Sequence, residues 1–322
     1  VARLLRGGGA VAEVAYCPDD LSLQCPAADL RLQENWMKFP VIASLVAFVL
    51  PCTTPAHTQL PSPPLTLPVA SPSGKQFTIQ AVVAGTKRTF LFDTGEGLTM
   101  ISPGLAKDAK CEPWGNVVAF RMLGERLDTP RCDDISFELG GRTFVAPTTI
   151  VYDLAKIDSS MAGIDGAIGL DLFAGQVITI RFATRQVVVE SPASAAQRIR
   201  QGTEVPIRLS RPSEGAALDV NIGVDTPRGR AWMELDSGNA GPTIFVSPGI
   251  APLLGLRTDT REAQPVTLQM APGVVFTGRA RVFPDMIMDG NIGMQFLGDR
   301  DLTLDLRQGR AWVAKPSGRP SP

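Results

Sequence analysis

The feature that most constrains this chain is that it repeats itself. Ser102-Pro103-Gly104-Leu105-Ala106 is matched by Ser247-Pro248-Gly249-Ile250-Ala251. Further along, Asp165–Glu190 aligns without gaps to Asp289–Ala314 at a constant offset of 124 residues. The identities cluster at its start, Thr179/Thr303 and Val189/Val313 follow, and the apolar pattern carries through. Upstream of both lies a third match, Asp93-Thr94-Gly95 against Asp236-Ser237-Gly238. The three keep the same order in each half, which chance would rarely arrange, and they imply a duplicated domain. The halves are not equal: Asp93 to Gly169 spans 76 residues and Asp236 to Gly293 spans 57, so the first interval is longer by 19. Cys111 and Cys132 both lie in that longer interval.

The repeated unit reads as β. Short β-prone stretches separated by Gly and Pro recur at Phe77–Ala84, Thr89–Asp93, Val117–Met122, Asp134–Leu139, Thr143–Val151, Val177–Phe182 and Val187–Glu190. The best helix candidate is Ala193–Gln201, with Ser191 to cap it, Pro192 in the first turn and Gly202 to end it. This divides the chain into a first lobe over 75–192, a connecting helix over 193–202, a second lobe over 203–315 and a tail over 316–322. A Pro- and Ser-rich stretch at Leu60–Gly74 reads as an extended linker, part of a 57–74 segment ahead of the first lobe.

Met37-Lys38 opens an apolar run from Phe39 to Leu50, too short to span a bilayer and suited to a signal-peptide core. Thr54-Pro55-Ala56 follows, which places cleavage after Ala56 and export to the periplasm or beyond; a lipoprotein anchored at Cys52 is the alternative. Residues 1–36 then read as an over-extended gene start, or else as a long n-region or disordered tail. Of the five cysteines, Cys17, Cys25 and Cys52 fall in this leader. The remaining pair, Cys111 and Cys132, reads as one disulfide closing a loop of about twenty residues, worth about 3 kcal/mol; the alternative is two buried free thiols.

Composition removes several functions. With 31 basic and 32 acidic residues the net charge is −1, which argues against nucleic acid or an anionic membrane held by bulk charge. The single histidine, His57, sits beside the signal, so Ser-His-Asp, Cys-His and most catalytic zinc chemistry lack their essential residue. General acid–base work falls to Asp, Glu, Lys, Tyr or Cys.

Each half contains an apolar strand running into an Asp-Thr/Ser-Gly turn: Phe90-Leu91-Phe92-Asp93-Thr94-Gly95, and Trp232-Met233-Glu234-Leu235-Asp236-Ser237-Gly238. Such a strand delivers a partly buried carboxylate to a turn where Gly lets N–H groups point back at it. If a pseudo-twofold axis relates the halves, Asp93 and Asp236 meet on it. Two adjacent carboxylates share one proton; one then acts as general base on a water and the other polarises a carbonyl. No metal, cofactor, histidine or covalent intermediate is needed.

On these residues the chain resembles the bacterial retropepsin-like aspartic proteases with two lobes in one chain, over roughly residues 72–315. The resemblance rests on the two Asp-Thr/Ser-Gly turns and on Ala167-Ile168-Gly169 and Asn291-Ile292-Gly293, approached by Asp165-Gly166 and Asp289-Gly290. It implies an all-β, bilobal aspartic-protease-like fold of two β-barrel-like lobes with a cleft between them. It also implies an endopeptidase that takes an extended polypeptide as substrate. Asp93 and Asp236 become the catalytic pair, Thr94 and Ser237 exchange hydrogen bonds across the lobes, and Gly95 and Gly238 supply N–H groups. Both aspartates are in one chain, so dimerisation is not required. The second reading is a protease-like peptide-binding module with a weak dyad.

There are departures. Glu96 and Asn239 follow the turns where the family usually has Ala, Ser or Thr; Glu96 either points to solvent or raises the dyad's proton affinity. Asn291 replaces the family's apolar residue. The hairpin that closes over substrate falls within 115–145, and neither Tyr16 nor Tyr152 sits on an obvious tip. Trp232 and Trp312 read as core rather than cleft, and Asp165 and Asp289 as local backbone acceptors.

Overall fold

The pairing of repeat-related strands organises the molecule. In the computed structural model, which describes residues 63–71 and 76–316, Val177–Arg181 runs antiparallel to Asp301–Asp305 with Thr179 opposite Thr303. These are equivalent positions of the two halves, and their hydroxyls hydrogen-bond at 3.0 Å. A pseudo-twofold axis therefore passes between them. Around this pair a six-stranded antiparallel layer forms in the order Thr203–Val205, Arg310–Ala314, Asp301–Asp305, Val177–Arg181, Gln186–Val189 and Leu65–Ala70. Residues 1–36, the 37–56 segment expected to be a signal, Cys17, Cys25, Cys52, His57 and residues 317–322 lie outside the described residues.

The first half continues from this layer into a closed six-stranded barrel. Its order is Thr78–Val83, Thr86–Phe92, Gly166–Ile168, Met100–Ile101, Arg142–Val151 and Arg126–Leu139, and Val82 pairs with Glu138 to close it. The second half forms a seven-stranded open sheet: Ile207–Ser210, Asp219–Thr226, Gly229–Leu235, Gly290–Ile292, Ile244–Val246, Val274–Val282 and Gln264–Ala271. Alternating side chains fill the interior. Phe90, Phe92, Phe137 and Phe173 are fully buried in the first half, Val220, Ile222, Met233 and Phe296 in the second. A helix spans Pro192–Gln201; Ser191 and Ser194 form its capping box and the Gly202 N–H closes it on Arg198 O.

The described part of the Leu60–Gly74 stretch is not the linker its composition predicts. It contains a strand, Leu65–Ala70, with Leu67 and Val69 buried. Leu65–Pro68 pairs with Gln186–Val189, and Val69–Ala70 then pairs with Thr78–Ile79. Pro68 sits where the strand changes partners, a place where its missing N–H is tolerated. The Pro-rich composition masks a period-two alternation.

Cys111 and Cys132 are joined by a disulfide with Cα atoms 6.0 Å apart. It ties the end of the helix Pro103–Asp108 to the strand Arg126–Leu139. The extra residues of the first half form the strand Trp114–Phe120 and its hairpin with Arg126–Leu139.

Candidate active site

Two buried strands aim the site. Thr86–Phe92 ends at Asp93, and Gly229–Leu235 ends at Asp236. A short parallel strand supports each: Leu91 and Phe92 pair with Ala167 and Ile168, Glu234 and Leu235 with Asn291 and Ile292. The supporting strand also fixes each aspartate's own backbone, through Asp93 N–H to Ile168 O at 3.1 Å and Asp236 N–H to Ile292 O at 3.0 Å. Asp165 and Asp289 brace the same strands. Asp165 Oδ2 accepts from Thr89 N–H at 3.1 Å, and Asp289 Oδ2 from Trp232 N–H at 2.8 Å. They are backbone acceptors, but for a strand far away in sequence rather than for their own turns.

The two turns lock to each other. Thr94 Oγ1 donates to Leu235 O at 2.7 Å and accepts from Ser237 N–H at 2.9 Å. Reciprocally, Ser237 Oγ accepts from Thr94 N–H at 3.0 Å and faces Phe92 O at 3.3 Å. Thr94 and Ser237 are 1% and 2% exposed, so these bonds face no competition from water.

The lock brings the carboxylates together. The Gly238 N–H reaches Asp236 Oδ1 at 2.7 Å and Asp93 Oδ1 at 3.0 Å, while Gly95 N–H donates to Asp93 Oδ1 at 3.0 Å. A Cβ on Gly95 would lie 2.9 Å from Asp236 Oδ1, and one on Gly238 would lie 2.5 Å from Asp93 Oδ2. Glycine is required at both because each turn presses against the other's aspartate. Asp93 is 9% exposed, and its carboxyl is pushed up to about 7. Burial is the main cause, then the charge of Asp236 and the hydrogen bond shared with it; the Gly95 and Gly238 N–H groups pull the other way.

The turns differ in what stands behind them. Asn291, fully buried, donates from Nδ2 to Asp236 Oδ2 at 2.6 Å and to Glu234 Oε2 at 3.1 Å. Its Oδ1 accepts from Asn239 Nδ2 at 2.9 Å. The Asn239 N–H adds a third donor to Asp236, on Oδ1 at 3.1 Å. Glu96 is half-buried beside Asp93 and does not stand free in solvent. Loss of water holds its carboxyl well above the usual range, and the charges of Asp93, Asp171, Asp236 and Asp219 add to this. Burial raises Asp171 to about 6 although Thr99 N–H and Oγ1 both donate to it. Asp219 is raised to about 6 by burial and by Asp171, and Glu234 lies well above its usual range for want of solvent and because of Asp236. Motif spacing does not single out Glu234, Asp171 or Asp219. Glu234 and Asn291 do carry a signal: aligning the halves sets them against Leu91 and Ala167, two polar exchanges in register.

A hairpin reaches over from the first half. Its turn, Arg121–Glu125, closes with Arg121 N–H to Glu125 O at 2.9 Å, and Met122 O accepts from Ile287 N–H of the second half at 3.1 Å. Tyr152 is partly buried against the apolar cluster that contains Leu91, Met100 and Val117. Trp312 is core, 4% exposed; Trp232 is half-buried under Arg208; Trp114 is 50% exposed under Arg131.

The aspartyl protease family matches the chain over residues 79–172, the stretch holding the first turn and its supporting strand. Solved structures match over most of the chain. The basic 7S globulin from soybean is 9% identical at a TM-score of 0.53, covering 80% of this chain and 96% of that one. Conglutin gamma, a basic 7S globulin from lupine seeds, is 9% identical at a TM-score of 0.51, covering 79% and 95%. The structure of edgp is 10% identical at a TM-score of 0.51, covering 79% and 95%. No curated protein matches the sequence. The fold is the all-β, bilobal aspartic-protease-like fold, with a closed barrel in the first half and a half-barrel in the second.

Proposed function

We propose that this protein is an exported aspartic endopeptidase in which Asp93 and Asp236 activate a water against a peptide bond. The observation that carries this is the convergence of two carboxylates on one N–H, Gly238, from two turns locked by Thr94 and Ser237. In the reaction the charged member of the pair takes a proton from water as its oxygen bonds to the amide carbon. The other member gives its proton to the carbonyl oxygen. The proton gathered from water then passes to the leaving nitrogen as the C–N bond breaks, and the former carbonyl oxygen returns its proton to the aspartate that gave it, leaving a carboxylic acid and a pair that again shares one proton. Gly95 and Gly238 stabilise the carboxylates, and Thr94 and Ser237 hold their geometry. The Arg121–Glu125 hairpin, tied to Ile287, serves as the cover that aligns an extended polypeptide. One proton must stay on the pair, so cleavage falls as pH rises past the Asp93 value of about 7.

The disulfide supports an oxidising, exported compartment. Among the described residues no helix is long and apolar enough to cross a membrane.

A second reading, a peptide-binding module with a weak dyad, is favoured by two further acids, Glu96 and Glu234, each of which interacts with both members of the pair. The full chain, with Asp93→Asn and Asp236→Asn beside it, incubated with a mixed peptide library from acid to neutral pH, separates the two. Cleavage by the wild type that both variants lose supports the endopeptidase; a folded wild type that cuts nothing at any pH leaves the binding role.

A further inference from the structure

We infer that Asn291, oriented by Asn239 and Glu234, is a positioning residue that makes the dyad unequal: it holds Asp236 as the charged base and leaves the shared proton on Asp93. The inference deepens the proteolytic reading and rests on it for its functional consequence.

The direction of each hydrogen bond sets the inequality. Thr243 O can only accept, and it takes a bond from Asn239 Nδ2 at 3.4 Å. That sets which end of the Asn239 amide is the donor. The same Nδ2 donates to Asn291 Oδ1 at 2.9 Å, so the carbonyl of Asn291 faces Asn239. Both protons of Asn291 Nδ2 are then turned toward carboxylates, Asp236 Oδ2 at 2.6 Å and Glu234 Oε2 at 3.1 Å. Asp236 thus receives three N–H donors over both of its oxygens: Asn291 on Oδ2, Gly238 and Asn239 on Oδ1. An N–H cannot accept a proton from a neutral acid, so a carboxyl ringed by such donors is stabilised as the anion.

Asp93 is placed differently. Its backbone donors, Gly95 and Gly238, both lie on Oδ1. The positions equivalent to Glu234 and Asn291 are Leu91 and Ala167, which have no polar side chain to offer. Asp93 Oδ2 is therefore the oxygen left to carry a proton. Burial and the charge of Asp236 favour the neutral form of Asp93 as well. The titratable groups that act on the pair are acids, Glu96 from the first turn and Glu234; Asp171 from Leu170–Phe173 and Asp219 from the strand Asp219–Thr226 act on Glu96, and Asp219 on Glu234 as well. Glu96 interacts more strongly with Asp93 and Glu234 more strongly with Asp236, so the two oppose a second negative charge on the dyad from opposite sides. Asn291 chooses.

The test uses full-length protein carrying 13C-carboxyl aspartate, with the two signals assigned through Asp93→Asn and Asp236→Asn. Wild type is compared with Asn291→Ala and with the double variant Glu234→Leu/Asn291→Ala. The double variant copies the Leu91/Ala167 pair that the first half already packs, so it remains informative if the single variant fails to fold. At about pH 6, below the Asp93 value of about 7, the Asp93 carbon should show the protonated chemical shift and Asp236 the ionised one. In the variants the protonated signal should spread to Asp236, and the Asp93 carbon should lose part of its protonated shift at the same pH. A proton on Asp236 in the wild type, or variants in which neither signal moves, would overturn the inference. The readout is independent of turnover. A wild type that titrates in the expected order yet cleaves nothing defeats the proteolytic reading alone; one that cleaves but shows the reverse order defeats this assignment alone.

Discussion

The two Asp-Thr/Ser-Gly turns descend from one pattern and are built differently. Around Asp93 the strand and its support contribute Leu91 and Ala167, 4% and 0% exposed, so that turn rests on a greasy backing. Around Asp236 the same two positions are Glu234 and Asn291, 8% and 0% exposed, so that turn rests on a polar network. The next residue reverses the contrast: Glu96 brings an acid to the first turn, Asn239 a donor to the second. Outside the turns, the first half alone has the disulfide-pinned hairpin. A symmetric frame thus holds an asymmetric pair, and asymmetry is what a reaction needing one acid and one base requires.

The largest expected effect tests whether the turns act as a unit. Asp93→Asn and Asp236→Asn should each lower peptide cleavage by about 10²–10⁴-fold, and the double variant should fall little further, because a dyad fails as a whole. Additive losses in kcat/KM would break the pairing.

Next comes the covalent difference between the halves. Cys111→Ser/Cys132→Ser opens a crosslink between residues 21 apart and should cost about 3 kcal/mol in chemical denaturation. The loss should be confined to the hairpin side: amide exchange should quicken over Trp114–Leu139 before it does in the second half.

The acids provide the third test. Asp93, Asp171 and Asp219 hold protons in the folded chain up to about 7, 6 and 6, whereas their ordinary value is 3.8. Between those limits the folded state binds more protons than the unfolded one, so stability is highest at the acid end and falls as pH rises through the window. The slope is about 1.4 kcal/mol per pH unit for each proton. Urea midpoints from acid to neutral pH should show it. Glu96→Gln and Glu234→Gln should each flatten it, one from either side of the comparison; a midpoint that climbs with pH would refute the assignment.

The smallest effect concerns the lock. Thr94→Ala and Ser237→Ala each strand buried backbone groups and should cost about 1–3 kcal/mol. Thr94→Ala should cost more, since its bonds at 2.7 and 2.9 Å are shorter than those of Ser237 at 3.0 and 3.3 Å. Thermal melts of the two variants decide the order.

Much of this architecture is legible in the residues themselves. Strands such as Thr143–Val151 announce themselves by alternation, which depends only on neighbours in sequence. The two turns and their supporting segments are visible because the chain states them twice. Leu65–Ala70 is not, because its Pro-rich composition says linker while its alternation matters only once Gln186–Val189 lies beside it. Asp165 and Asp289 stand in Asp-Gly turns that suggest local bonding, and instead hold backbone 76 and 57 residues away. The hairpin's place can be bracketed, but its contact with Ile287 joins the two halves and leaves no local mark.

The sequence by itself determined the duplication, the β architecture and the pair of aspartates brought forward by the two turns. These follow from periodicity, turn residues and residue inventory, which are short-range or countable. Only the tertiary structure decided what surrounds each carboxylate: Asn291 on Asp236, and Glu96 and Glu234 bearing on the pair. The physical reason is that a carboxyl's proton affinity is set by the donors, charges and water within a few ångströms. In this fold those come from segments 55 to 145 residues apart, brought together only when both halves close on one axis.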